Sequence, residues 1–143
     1  MLLQRIGRFF HSNYIPILPK LFNLLIRLIH NSAVFTESRI GNGTTFAYGG
    51  IGVVIHKRCV IGNNCIIGSN VTICGKSKSP SVQTIGENCF IATGSRILGD
   101  VRIGNNCVIG ANSVVVTNIP DNCMAAGVPA KIIKRDIEPK DYY

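Results

Sequence analysis

Ten aliphatic residues fall in a single six-residue frame: Ile55, Ile61, Ile67, Ile73, Ile85, Ile91, Ile97, Ile103, Ile109 and Val115. Ser79, inside a polar stretch, is the one break. A helix repeats its apolar face near 3.6 residues and a half-buried strand near 2, and neither period produces sixes from Ile55 to Val115. Short flat sides turned at regular corners do, so the pattern predicts a parallel β-helix of three-sided coils. At roughly eighteen residues per coil, about four coils fit between positions 38 and 117.

Composition agrees with a stacked solenoid. At 143 residues the chain is one domain. Hydrophobic residues make up 46%, yet only 7% are aromatic and Trp is absent. That suits a narrow aliphatic core in which each coil covers its neighbour. Many of the fifteen glycines follow Ile or Val, where a corner accepts a residue without Cβ.

Cys59, Cys65, Cys89 and Cys107 occupy one slot, two residues before a core aliphatic, and other coils fill it with Val71, Ser95, Val101 and Ser113. The cysteines therefore read as small buried residues. Neither a CxxC pair nor a His-rich cluster supports a metal site. Reduced thiols suggest the cytoplasm. The N-terminus lacks a charge-free apolar run ending in a cleavage site, so no signal peptide is expected.

The formal charge of +8 is unevenly placed. Arg5, Arg8, Lys20 and Arg27 precede the first acidic residue, Glu37, and Lys131, Lys134 and Arg135 form a second basic group. Such charge meets anionic lipid or a phosphorylated small molecule. Nucleic acid is not expected without an aromatic-rich basic motif. Residues 1–37 read as a helical segment, with Leu2, Leu3, Ile6, Phe9 and Phe10, then Leu21, Leu24, Leu25 and Leu28, at helical spacing. Pro16 and Pro19 divide the two helices, and Pro19 suits the first turn of the second. Lys20 and Arg27 leave that helix too short and too charged to span a bilayer. Two roles stay open: an α-helical cap over the first coil, and a basic amphipathic anchor on the inner face of a membrane.

The β-helix is expected over 38–118 and a C-terminal tail over 119–143. Ile40 and Phe46 are hexad-spaced but three residues out of step with Ile55, so an insertion near Tyr48-Gly49-Gly50 must absorb the difference. Cys74 to Thr84 reads as a polar loop, carrying Lys76 and Lys78, that leaves the prism without breaking the frame.

The run Ile97-Leu-Gly-Asp-Val-Arg-Ile-Gly-Asn-Asn-Cys-Val-Ile-Gly-Ala-Asn-Ser-Val-Val115, followed by Ala126-Gly-Val-Pro-Ala-Lys-Ile-Ile133, resembles the hexapeptide-repeat acyltransferases. The similar branch is the serine acetyltransferase-like group, which includes O-acetyltransferases of surface-polysaccharide pathways. The resemblance covers residues 38–134. It implies a left-handed parallel β-helix, against the usual hand of β-crossovers. It also implies a homotrimer, acetyl-CoA as donor, no metal, and active sites in grooves between subunits.

Acetyl transfer to a hydroxyl needs a base for its proton, a donor for the oxyanion, and a groove that aligns the pantetheine arm. Of the three histidines, His11 and His30 fall in the helical segment and read as surface or cap residues. His56, in Gly52-Val-Val-Ile-His-Lys-Arg58, follows a core Ile and so points outward at a corner. The plain reading is a solvated corner residue; the sharper one is the catalytic base, since imidazole exchanges protons near neutral pH. The resemblance assigns Ala92, Thr93, Gly94, Gly110 and Ala111 to the pantetheine arm. It assigns Lys131, with Lys134 beside it, to the CoA phosphates. Tight coil stacking and a solvated tail are the corresponding structural readings.

Serine acetyltransferases carry an Asp-His pair where this chain has Tyr48 and Gly49, and a second histidine near Val82. Their absence favours a saccharide hydroxyl as acceptor. L-Serine is the alternative, and a non-catalytic scaffold is a third reading. One prism histidine cannot supply the three ligands of a β-helical zinc carbonic anhydrase, and no Thr-rich face suggests ice binding.

Overall fold

The computed structural model describes residues 2–13, 17–75 and 83–143. Pro16 and the loop residues Lys76, Lys78 and Val82 lie outside the described residues. Every member of the hexad frame is buried, none more than 3% exposed. The chain winds as a left-handed parallel β-helix of about four turns behind two N-terminal helices.

Three sheets form the sides, with strands numbered in chain order. Sheet A stacks β1 (Ala33–Val34), β4 (Val54–Ile55), β7 (Thr72–Cys74), β10 (Arg96–Leu98) and β13 (Val114–Val115). Sheet B stacks β2 (Arg39–Ile40), β5 (Val60–Ile61), β8 (Thr84–Ile85) and β11 (Arg102–Ile103). Sheet C stacks β3 (Thr45–Phe46), β6 (Ile66–Ile67), β9 (Phe90–Ile91), β12 (Val108–Ile109) and β14 (Cys123–Gly127), and ends on β15 (Ala130–Arg135). Register places each core aliphatic on the next, as in Ile55↔Ile73↔Ile97↔Val115 and Ile67↔Ile91↔Ile109.

The coils overrun the sequence-based limits at both ends. Val34 pairs with Ile55, because it shares the hexad frame of Ile40 and Phe46; the first coil therefore takes in 33–37. At the far end β14 pairs in parallel with β12, and β15 returns antiparallel along β14. Lys131 and Lys134 thus ride a strand.

Corners explain the residues between the aliphatics. Asn64, Asn88, Asn106 and Asn122 all turn the chain in the left-handed region, with φ between 53° and 56°, which asparagine tolerates. Their amides form a ladder: each Nδ2 donates to the next Oδ1 at 3.5, 3.1 and 3.0 Å. Gly41, Gly62, Gly86 and Gly104 stack so closely that a Cβ on Gly62 would lie 2.6 Å from the Gly86 carbonyl oxygen. Gly62→Ala should cost roughly 1–3 kcal/mol by overpacking, seen as a lower urea midpoint.

Both irregularities sit where the frame requires them. The three extra residues are absorbed at a four-residue kinked turn, Ala47–Gly50, with Tyr48 and Gly49 in the left-handed region at φ 51° and 71°. Across the polar run the frame is kept, and the step from Ile61 to its partner Ile85 is one hexad longer than that from Ile85 to Ile103.

All six cysteines are free. Cys65, Cys89 and Cys107 stack one residue before β6, β9 and β12, each thiol donating at 3.1 Å to a carbonyl of the next coil. Burial pushes the Cys59 thiol from 9.0 up to about 12. The unfolded thiol ionises from about pH 9 while the native one stays protonated, so this stability is present below pH 9 and lost as pH rises towards 12. Tm should therefore fall above pH 9, and Cys59→Val should flatten that fall.

Helices α1 (Leu2–Ser12) and α2 (Ile17–His30) cover the first coil. Gln4 Nε2 and Arg8 Nη1 donate to the Ser38 carbonyl at 3.2 and 2.6 Å, and Arg5 Nη2 to that of Thr44 at 3.3 Å. Ile26 of α2 is fully buried in the same apolar cluster as Val34.

Candidate active site

Between sheets C and A the turns carry small residues on every coil, and on the first coil Tyr48 and Ile51 as well, 79% and 52% exposed. The corner carries Gly49 and Gly50 on the first coil, Gly68 to Asn70 on the second, Ala92 to Gly94 on the third and Gly110 to Asn112 on the fourth. Backbone bonds join these turns: Asn70 N–H donates to Ile51 O, Gly94 N–H to Ser69 O and Asn112 N–H to Thr93 O, each at 2.9 Å. Gly94 has φ 73°, in the place where Asn112 has 54°, so the turn itself requires a residue of this kind. Thr93 and Ala111 are exposed, and among the described residues their N–H groups have no acceptor.

The five sequence-predicted pantetheine residues therefore lie together along one corner. At its far end Lys131 stands opposite Ala126 across the β14–β15 hairpin and is exposed. Lys134 is drawn aside, with Nζ 5.7 Å from the centroid of the Tyr142 ring. That leaves Lys131 the less committed of the two cations.

His56 lies at the other end of sheet A, where the chain leaves β4. About five extended residues, roughly 16 Å, separate the two corners of one side. Within one chain His56 and the small-residue corner are not brought together. Its N–H donates to Ile73 O at 2.9 Å, and its ring Nδ1 accepts from Arg58 N–H at 3.4 Å. The latter contact is long, but it favours the tautomer that carries its proton on Nε2. Among the described residues no carboxylate is hydrogen-bonded to the ring.

His30, which the sequence reading left as a cap residue, is the histidine that reaches the small-residue corner. It ends α2 beside Gly49: a Cβ on that glycine would lie 3.6 Å from His30 Nδ1 and 3.9 Å from Cε1. Gly52 N–H donates to the His30 carbonyl at 3.4 Å. Ser32 Oγ lies within hydrogen-bond range of that carbonyl, at 2.8 Å, and of the Gly50 carbonyl. The glycine pair at 49–50 was its signal, since it leaves room for a ring from another element. Tyr48, at the same turn, is 79% exposed. His11 is exposed on α1.

The family described as bacterial transferase hexapeptide (six repeats) matches residues 84–117. A serine acetyltransferase of Bacillus pumilus is 31% identical over 147 residues, covering 96% of this chain and 67% of the relative. The crystal structure of Neisseria gonorrhoeae serine acetyltransferase is similar with a TM-score of 0.87 at 30% identity, over 94% of this chain and 52% of that one. A serine acetyltransferase solved as a complex with CoA gives 0.82 at 30% identity, over 92% and 54%. The chain belongs to the hexapeptide-repeat acyltransferases. Within them it falls on the serine acetyltransferase-like branch. It spans about half the length of these solved relatives. Relatives of this kind fit the L-serine alternative better than the saccharide acceptor that the sequence reading placed first.

Proposed function

We propose that this chain carries acetyl from acetyl-CoA to a hydroxyl group, with L-serine as the acceptor its relatives favour. The observation that carries this reading is the continuous corner of small residues from Gly49 to Ala111, ending at the exposed Lys131. A pantetheine arm laid along it meets little side-chain bulk. The unpaired N–H groups of Thr93 and Ala111 suit amide or thioester carbonyls, and Lys131 suits a phosphate.

In the transfer, the acceptor oxygen attacks the thioester carbonyl while its proton passes to an imidazole nitrogen. The C–S bond then breaks, and the same proton goes to the leaving thiolate. We assign the proton relay to His56 in a homotrimer, where a neighbour's His56 corner meets this chain's small-residue corner. The assignment requires the long Arg58 contact to open, freeing an imidazole lone pair. His30 is the second reading for the base, because it needs no partner to reach Gly49.

A saccharide hydroxyl is the second reading for the acceptor. Tyr48 and Gly49 replace the family's Asp-His pair, and the exposed Tyr48 ring offers an apolar face to a sugar. Acetyl-CoA-dependent thiol release with L-serine, nucleotide sugars and short glycans decides between them. Release with serine is the expected result. Release with a glycan alone moves the acceptor to saccharide, and no release with no CoA binding leaves a scaffold.

A further inference from the structure

Helix α2 has two apolar faces, and only one of them meets the protein. Ile26 and Pro19 are buried on one side, Ile26 in the apolar cluster that holds Val34. On the opposite side Ile17, Leu21, Leu24 and Leu28 follow one another at i, i+4, i+7 and i+11, and are 77%, 47%, 52% and 71% exposed. Leu2, Ile6 and Phe9 make a second outward stripe on α1. Contiguous exposed apolar surface of this kind marks a contact with something else.

Charge selects the occupant. Lys20 and Arg27 flank the α2 stripe, and no Asp or Glu occurs before Glu37. Glu37 itself is turned to Asn23 and Thr36, at 3.4 and 3.3 Å. A second copy packing by two-fold symmetry sets the same patch against itself, which would face Lys20 and Arg27 with their own like charges. An anionic lipid surface offers the opposite sign beside an apolar interior. Beside the stripe a cleft of about 230 Å³, lined by Lys20, Asn23, Leu24 and Arg27 of α2 and by Ala33 to Phe35, combines two cations with apolar walls. No helix among the described residues is long and apolar enough to cross a membrane.

We infer that the α1–α2 pair docks flat on an anionic phospholipid surface, with its leucine stripe in the acyl boundary and Lys20 and Arg27 among lipid phosphates. This stands independently of the acetyl-transfer reading. The test is flotation of the full chain with phosphatidylcholine vesicles, with and without phosphatidylglycerol. Recovery is expected only with phosphatidylglycerol, and it should fall steeply with salt. Lys20→Gln/Arg27→Gln should lower the partition about 30-fold, at about 1 kcal/mol per charge and tenfold per 1.4 kcal/mol. Leu24→Ser/Leu28→Ser should lower it at least about tenfold with an unchanged thermal melt, since both side chains are exposed. Equal recovery with neutral vesicles, no recovery with either, or recovery indifferent to both variants overturns the inference. A concentration-dependent dimer lost in Leu24→Ser/Leu28→Ser, without flotation, assigns the stripe to a second copy and also overturns it.

Discussion

Ile91→Ala should lower the unfolding free energy by roughly 2–5 kcal/mol, out of the 5–15 kcal/mol typical of a domain. Ile91 is fully buried and is stacked between Ile67 on one coil and Ile109 on the next. A solenoid has no distant contacts to share such a loss, because each coil touches only its neighbours. The cavity therefore weakens both interfaces of a central coil at once. Ile132, only partly buried on the terminal hairpin, should cost markedly less when cut to alanine. Urea denaturation measures both. A fall in midpoint at constant slope would mean simple destabilisation, and a fall in slope would mean that the array unfolds in two parts.

His56→Ala should reduce turnover about 10²- to 10⁴-fold, the range for losing a general base, while acetyl-CoA binding by calorimetry stays as in the parent. Two controls make this decisive. His30→Ala should cost less than about tenfold, and His56→Gln should be as inactive as alanine, because an amide keeps a donor but supplies no base. If His30→Ala carries the large loss, the base is the histidine beside Gly49. If His56→Gln retains activity, the ring at 56 acts through its N–H, in keeping with the Arg58 contact on Nδ1.

The core was legible because stacking forces every coil to repeat the same spacing, and Ile55 to Val115 report it without ambiguity. Val34 was not, since one aliphatic ahead of Ile40 and Phe46 announces nothing until its pairing with Ile55 is seen. Cys123 escaped for a related reason. It belongs to the thiol column above Cys107, but the final step from Ile109 to its partner Ala125 is two residues short of a coil, so counting in sixes misses it. The small-residue corner was readable through family resemblance alone, because Ala92 and Gly110 look the same whether they line a groove or permit tight stacking. For His30 the sequence held only half a signal: Gly49-Gly50 leaves room for a ring, but nothing in the chain says which element supplies it. A helix end delivers it to Gly49, and sequence separation says nothing of that approach.

The two irregularities differ in arithmetic, and the difference makes the solenoid a ruler. The turn at Ala47–Gly50 inserts half a hexad and resets the frame once, whereas the step from Ile61 to Ile85 adds a whole hexad and leaves every later side chain on its own face. Length can therefore be added or deleted in whole coils without re-addressing a single residue. Each coil advances the corner by about 4.8 Å, and about four such steps, roughly 19 Å, run from Gly49 to the hairpin that bears Lys131. If the donor lies along this corner as proposed, the span offered to it is graduated in coil steps, and a donor too long or too short by one notch has no intermediate setting to find.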